Sequence, residues 1–224
     1  MELTAVRARI PLADEELVPP PELFTFHTQL HGQPHVARVL VHAFRLIAAT
    51  GFVEETARLW AAVYVHDIGR TKDGRCPGHG AEAWARLATL PGVQDLLARG
   101  GVRPEDYPAI QAAVSLHSRG EAKTGTPEAR LTKLLKDADG LDRVRFGDLD
   151  PDYLRHPEAR GMIRYAQRLW GETDHKIAIG PGYFARLWPE ARRLATLVPD
   201  GRAAEARAAE ARAADAGADD GSRD

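Results

Sequence analysis

The chain has 224 residues, which allows one domain of ordinary to large size, or one domain and a tail, with a core that needs no disulfide. Cys76 is the only cysteine, which excludes an intramolecular disulfide and favours a reducing compartment. The formal net charge of -2 argues against nucleic-acid binding driven by charge alone, and we find neither a secretory signal nor an apolar run of membrane-spanning length, so we expect a cytoplasmic protein without a membrane partner.

Stretches of helical periodicity alternate with glycine- and proline-rich breaks along most of the chain. Prolines exclude a helix through much of residues 1–26, which we interpret as an irregular N-terminal segment. Apolar residues at helical spacing predict helices near residues 35–50, 54–68, 79–90, 93–99, 104–117, 126–140, 158–170 and 182–197. No stretch alternates apolar and polar residues over strand length, so we predict an all-α, multi-helix bundle over residues 27–198.

The composition changes after residue 198. Residues 202–212 are rich in alanine, carry charges three and four positions apart, and include no large apolar side chain. We therefore predict that residues 199–224 form an exposed tail, a marginal helix followed by a disordered end.

Histidines and aspartates fall at the ends of the predicted helices. In chain order these are His35, His66, Asp67, His79, His117 and Asp139. If the helix ends meet at one mouth of the bundle, six groups able to bind a metal ion come together there. A lone histidine at a helix end more often makes a local hydrogen bond, and we interpret His42 and His175 in that way. His156 precedes Pro157 and is interpreted as a loop residue.

Three short motifs that contain these residues, taken in chain order, resemble those of the HD superfamily of metal-dependent phosphohydrolases. The matching parts are His35 in His-Val-Ala-Arg, His66-Asp67 in His-Asp-Ile-Gly, and Asp139 directly after an alanine. The resemblance covers about residues 27–155 and implies an HD-domain-like bundle in which His35, His66, Asp67 and Asp139 bind a divalent metal ion at the helix ends. It selects Asp139 over Asp137 as the ligand, and leaves Asp137 and Asp142 as supporting carboxylates behind the ligands.

Relatives with two metal ions carry further histidines between the doublet and the last aspartate. His79 and His117 occupy that interval, and Asp67 would then bridge the two ions. The alternative is a single ion, with these two histidines contacting the phosphate of a substrate. His31 is a further candidate for either role.

The ligand types and the nearby cations suggest the reaction. Imidazole and carboxylate ligands suit Mn²⁺, Fe²⁺, Co²⁺, Ni²⁺ or Zn²⁺, with Mg²⁺ also a candidate, and one or two such ions would activate a water molecule and neutralise phosphate charge. We therefore expect hydrolysis of a small phosphorylated substrate, a phosphoester or a nucleotide. Arg70 and Arg143 each lie within four residues of a predicted ligand and, with Lys72, are the candidate phosphate contacts.

Arg70 stands where some nucleotidases of the superfamily carry a catalytic glutamate. Their acid–base assignment therefore does not transfer. What remains is a metal-bound water that acts without a dedicated carboxylate base, or one assisted by Asp67 or Asp142, and Asp67 and Arg70 are the catalytic candidates. Phe146, Tyr153 and Arg155 either line a substrate pocket or belong to core packing and a turn.

Two other classes of function stay open. Some proteins of this fold use the same ligand order for di-iron oxygen chemistry, and that class predicts two irons and oxygen consumption. A non-catalytic regulatory or binding module predicts no activity on phosphoesters.

Overall fold

The computed structural model describes residues 1–122 and 125–198, and this part of the chain contains helices and no strand. Seven short 3₁₀ turns connect the α-helices of this part. The α-helices are α1 (Leu3–Arg7), α2 (Gln33–Thr50), α3 (Thr56–Val65), α4 (His79–Arg86), α5 (Pro91–Arg99), α6 (Tyr107–Leu116), α7 (Pro127–Leu141), α8 (Pro157–Gly161), α9 (Ile163–Thr173) and α10 (Tyr183–Leu197). None of these helices is long and apolar enough to cross a membrane.

Helix α2 is the central element of the bundle. All of its residues from Gln33 to Ile47 are buried, and α1, α3, α7 and α10 pack against it. Pro34 lies in its first turn, where the missing N–H costs no hydrogen bond. The helix ends at Gly51, whose φ of 78° lies in the left-handed region that glycine adopts without strain. The polar side chains of this buried stretch of α2 therefore lie inside the molecule, on every face of the helix.

The prediction of an all-α, multi-helix bundle is confirmed. Two local details differ from the sequence-based prediction. The helix expected over residues 158–170 is broken into α8 and α9, because the Met162 N–H turns back to the Ala159 carbonyl three residues earlier, at 3.0 Å. Residues 1–26 are also not wholly irregular, since α1 precedes the prolines and buries Val6 in the core. The predicted tail, residues 199–224, lies outside the described part of the chain.

The N-terminal segment is tied to the helices that carry the candidate ligands. The indole N–H of Trp60 donates to the Leu17 carbonyl at 3.0 Å. The backbone N–H and the hydroxyl of Thr25 both donate to the Ile68 carbonyl, at 3.1 and 3.0 Å. These bonds fix the turn that follows the His66–Asp67 doublet.

Candidate metal centre

Helix ends place the predicted ligands at one end of the bundle. His35 is the third residue of α2, His66 and Asp67 follow α3 directly, and Asp139 lies in the last turn of α7. His79 is the first residue of α4, and His117 follows α6 directly. Five of these six side chains are buried, and the side chain of Asp139 is 29% exposed.

Asp67 lies between two groups of histidines. Its Oδ2 atom is 3.3 Å from His31 Nδ1 and 3.5 Å from His35 Nε2. Its Oδ1 atom is 2.9 Å from His79 Nε2 and 3.9 Å from His117 Nε2. The two oxygens of one carboxylate thus face separate sets of imidazoles, which is the geometry that a bridge between two cations requires.

The first group joins α2, α3 and α7. His35 Nε2 lies 3.3 Å from Asp139 Oδ1 and 3.3 Å from His66 Nε2. With Asp67 these are the four residues that the sequence predicts as ligands. His31 lies just before the start of α2, not within it, and contacts this group through Asp67.

The second group joins α4 and α6. His79 Nε2 lies 2.7 Å from His117 Nε2, and both face Asp67 Oδ1. His31, His79 and His117, which the sequence left between a second ion and phosphate contact, therefore all lie against the central carboxylate. Each group contains three donor atoms close enough together to hold a metal ion.

The histidines of both groups are anchored in the same way, through Nδ1. The acceptors, in chain order of the histidines, are Asp142 Oδ2 (2.8 Å) for His35, the Val63 carbonyl (2.7 Å) for His66, the Cys76 carbonyl for His79 and the Val114 carbonyl (2.6 Å) for His117. Carbonyl and carboxylate oxygens only accept, so each Nδ1 carries a hydrogen, and in a neutral ring the Nε2 atom then presents a lone pair. Lone pairs and carboxylate oxygens that face one another in a buried site repel unless a cation lies between them. The donor set therefore fits a metal ion, and the anchored Nδ1–H is usual for a histidine ligand.

Burial and the central carboxylate set the protonation of this site. Burial lowers the pKa of His66, and lowers the pKa of His117 to about 3, so both rings are neutral at pH 7. Burial also opposes ionisation of Asp67, but the surrounding histidines outweigh it and hold its pKa well below the usual range. For His79, burial is outweighed by the hydrogen bond and charge of Asp67, and the pKa is raised.

Asp142 supports the first group from behind. Its side chain is fully buried and accepts hydrogen bonds from His35 Nδ1, from Arg38 Nε at 2.6 Å and from Arg145 at 3.0 Å. The carboxylate therefore fixes the ring of His35 and pairs with two guanidinium groups. The role of Arg38 is not predicted from the sequence, because an arginine on an amphipathic helix normally faces solvent.

Asp137, the other predicted supporting carboxylate, lies elsewhere. It accepts hydrogen bonds from the backbone N–H groups of Arg155 and His156, both at 2.8 Å, and from His156 Nδ1 at 2.7 Å. It therefore holds the segment before α8 and contacts none of the candidate ligands. Two residues along a helix turn a side chain to a different face, which explains why Asp137 and Asp139 separate.

Two glycines allow the helices to approach closely enough for the histidines to meet. A Cβ atom on Gly69 would lie 2.6 Å from the His79 carbonyl oxygen and 2.7 Å from Ala83 Cα. A Cβ atom on Gly80 would lie 3.0 Å from His117 Nδ1, and nearer still to the Val114 carbonyl oxygen. These contacts are with backbone or with a candidate ligand, so α4 can pack this closely only without side chains at these positions.

A cavity of about 890 Å³ opens onto the centre. Among the described residues that line it, four carry a carboxylate, and seven carry a positive charge: Arg70, Arg75, Arg119, Lys136, Arg143, Arg145 and Arg155. Phe146 and Tyr153 also line it, as one reading of the sequence predicted. Lys72 is exposed and is not among the lining residues, whereas Arg75 of the same loop is. A cavity with this excess of cations favours an anionic ligand.

Arg70 lies beside the second histidine group. It is 7% exposed, donates to the Gly74 carbonyl at 2.6 Å, and lies 3.6 Å from Asp67 Oδ1 and 3.4 Å from His79 Nε2. Arg143, in contrast, is half exposed at the rim, where it pairs with Asp148. Of the two favoured phosphate contacts, only Arg70 reaches the centre.

Comparisons of this chain with protein-family models, with curated proteins and with solved structures gave no match. The chemistry assigned to the site therefore depends on its own geometry.

Proposed function

We propose that this chain is a metal-dependent phosphohydrolase, built like the HD superfamily it resembles, with two divalent ions. The observation that carries the proposal is Asp67, whose two oxygens face two separate groups of anchored histidine Nε2 atoms. His35, His66, Asp67 and Asp139 would hold the first ion, and Asp67, His79 and His117 the second. Ions held there would supply an activated water and neutralise charge on the phosphate.

The donor set restricts the kind of metal. It contains imidazoles and carboxylates and no thiolate, which suits Mn²⁺, Fe²⁺, Co²⁺, Ni²⁺ or Zn²⁺ better than Mg²⁺, an ion that prefers oxygen ligands. Cys76 lines the cavity but belongs to neither group.

The protein side chains contribute binding and orientation. The hydrogen bond of Arg70 to the Gly74 carbonyl keeps its guanidinium group in place beside Asp67 and the second group. A phosphate oxygen would bind to this fixed positive charge. Arg145 lines the same cavity and is held by Asp142. Position 70 holds an arginine, so no carboxylate base acts there. The protein would instead promote the reaction by positioning the substrate and by placing positive charge beside the phosphate.

A di-iron oxygenase would use the same donor set, and the cavity separates the two functions. Seven cationic side chains suit a phosphorylated substrate and have no role in oxygen chemistry. Purified protein that contains two irons per chain, consumes oxygen and releases no phosphate would favour the oxygenase.

The test is a phosphate-release screen with phosphomonoesters, nucleotides and diphosphates, in the presence of Mn²⁺, Co²⁺, Ni²⁺ or Zn²⁺. We expect Asp67→Ala to abolish turnover, and Arg70→Met to lower it by about 10²–10³-fold, as is usual when a group that stabilises transition-state charge is removed. Asp95→Ala, at an exposed position on α5, is the matched control and should keep full activity. Turnover that survives Asp67→Ala would refute the proposal.

A further inference from the structure

A carboxylate, that of Glu121, is bound at once by two cations that line the cavity. Glu121 Oε1 accepts hydrogen bonds from Lys136 Nζ at 3.0 Å, and from the terminal and Nε nitrogens of Arg155 at 2.7 and 3.3 Å. Lys136 and Arg155 line the cavity in front of the metal centre. Three charged N–H donors therefore converge on one anionic oxygen.

The two cations are held by further hydrogen bonds and are more buried than the carboxylate that they bind. The side chain of Lys136 is 4% exposed and that of Arg155 is 26% exposed, but that of Glu121 is 51% exposed. Lys136 also donates to the carbonyls of Arg119 and Gly120, at 3.0 and 2.8 Å, and Arg155 donates to the Tyr153 carbonyl. These bonds would keep both donors in place if Glu121 turned out into solvent.

Helix α7 connects this pair to the metal centre. Lys136 precedes the candidate ligand Asp139 by three residues, so both lie on the face of α7 that lines the cavity. The rise between them is about 4.5 Å along the helix axis. An anion held by Lys136 and Arg155 would therefore share the cavity with a phosphate bound at the metal centre.

We propose that Lys136 and Arg155 bind a second anionic group of the substrate, and that Glu121 occupies this site when no substrate is bound. The inference rests on the proposed phosphohydrolase function and narrows its substrate class. The substrate is a phosphoester that carries a second phosphate or a carboxylate a few bonds from the reacting phosphate, such as a diphosphate or a bisphosphate. Binding of such a substrate displaces Glu121 and breaks no covalent bond.

The test measures the affinity of the full, metal-loaded chain for phosphonates, which are not hydrolysed. Methylphosphonate is compared by calorimetry with alkylene diphosphonates of one to four methylene groups. We expect at least one diphosphonate to bind about tenfold more tightly than methylphosphonate, the usual gain from one charge-assisted hydrogen-bonded contact. Glu121→Gln should increase that advantage by about three- to tenfold, because no carboxylate has to be displaced, and Arg155→Gln should remove it.

Arg99→Gln is the control, since Arg99 pairs with Glu16 outside the cavity, and it should leave every affinity unchanged. Diphosphonates that bind no better than methylphosphonate to the wild type and to Glu121→Gln would overturn the inference, while metal-dependent binding of methylphosphonate would leave the proposed function standing. If two methylphosphonates bind per chain and linking the two phosphonates by methylene groups brings no gain in affinity, Lys136 and Arg155 form a site for free anions. This result would also overturn the inference. If no phosphonate binds and no phosphate is released in the screen, both proposals fail.

Discussion

Asp67 and Asp142 are both buried beside His35, but they meet different partners. Asp67 faces the Nε2 atoms of the candidate ligands, whereas Asp142 accepts the Nδ1–H of His35 and pairs with Arg38 and Arg145. The first is placed to contact a metal ion and the second to orient a ligand. Exchanging either for a neutral residue should therefore have distinguishable consequences.

Asp142→Asn removes the buried charge that pairs with Arg38 at 2.6 Å and leaves only the more distant, partly exposed Asp174 near the guanidinium. We expect the free energy of unfolding to fall by about 3–5 kcal/mol, the usual cost of breaking a buried ion pair by removing one partner. Loss of the anchor for His35 should also weaken metal binding by about 10–100-fold. Denaturant unfolding and metal titration measure the two effects.

Asp174→Asn is the control for this substitution. Asp174 lies 3.9 Å from Arg38 on the other side and is 30% exposed, so its loss should cost less than about 1 kcal/mol and leave metal binding unchanged. Equal effects of the two substitutions would show that Asp142 has no special role.

His42 affects the stability of the protein at acid pH. It is fully buried on α2, and neither ring nitrogen has a hydrogen-bond partner among the described residues. Burial lowers its pKa to about 3. Between the unfolded value near 6.5 and the folded value, only the unfolded chain takes up the proton, so stability is lost as the pH falls, by about 1.4 kcal/mol per unit.

His42→Leu should remove this contribution and also remove two unsatisfied polar atoms. We expect the variant to be more stable than the wild type, and its advantage to grow as the pH is lowered from 7 to 5 in urea unfolding experiments. His175→Asn is the control, because His175 is 74% exposed and has a φ of 56°, which asparagine tolerates. An advantage of His42→Leu that does not change with pH would contradict the prediction.

At the scale of elements, the candidate centre depends on how closely α4 approaches α6 and the turn after α3. His79 and His117 belong to different helices, and Gly80 lets these helices touch through backbone. In the sequence His79 lies between two glycines, but no periodicity indicates which helix Gly80 faces. The contact is set by packing that involves residues far apart in the chain.

Gly80→Ala tests that packing. The added Cβ would meet the Val114 carbonyl and His117, so α4 must move away from α6. We expect a loss of about 1–3 kcal/mol in the free energy of unfolding, as in other overpacked positions, together with loss of the second ion that we propose His79 and His117 bind. Metal analysis and thermal unfolding of the same preparation report both.

Gly171→Ala is the matched control, because nothing lies within 4 Å of a Cβ there and the residue is inside α9. It should raise stability by about 0.5–1 kcal/mol through helix propensity alone. If Gly80→Ala behaves like Gly171→Ala, the close approach of α4 and α6 is not required for stability or for metal binding.

For the whole molecule, sequence patterns predict the helices well, because apolar spacing and glycine or proline breaks are local signals. They also bring out the residues that meet at the centre, since His35, His66–Asp67 and Asp139 follow an order that a known superfamily shares. They fail where a partner is distant in the chain. The burial of Arg38 against Asp142, more than a hundred positions away, and the hydrogen bonds of Asp137 to the segment before α8 depend on how the helices pack.

The cavity is a second property of the whole molecule that the sequence predicts only in part. Arg70, a predicted phosphate contact, lies at the centre, but Lys72 does not line the cavity, and Lys136 and Glu121 were not predicted to have a role. Charged residues are frequent in the loops of any chain. Only the three-dimensional arrangement shows which of them face a common ligand.

The central claim is that two metal ions share Asp67, and elemental analysis of the purified chain and its variants tests it most directly. We predict two equivalents of divalent transition metal per wild-type chain, one in the double variant His79→Ala/His117→Ala, and less than one in Asp67→Ala. The contradicting result is a wild type with no stoichiometric metal, or a metal content that is the same in all three proteins.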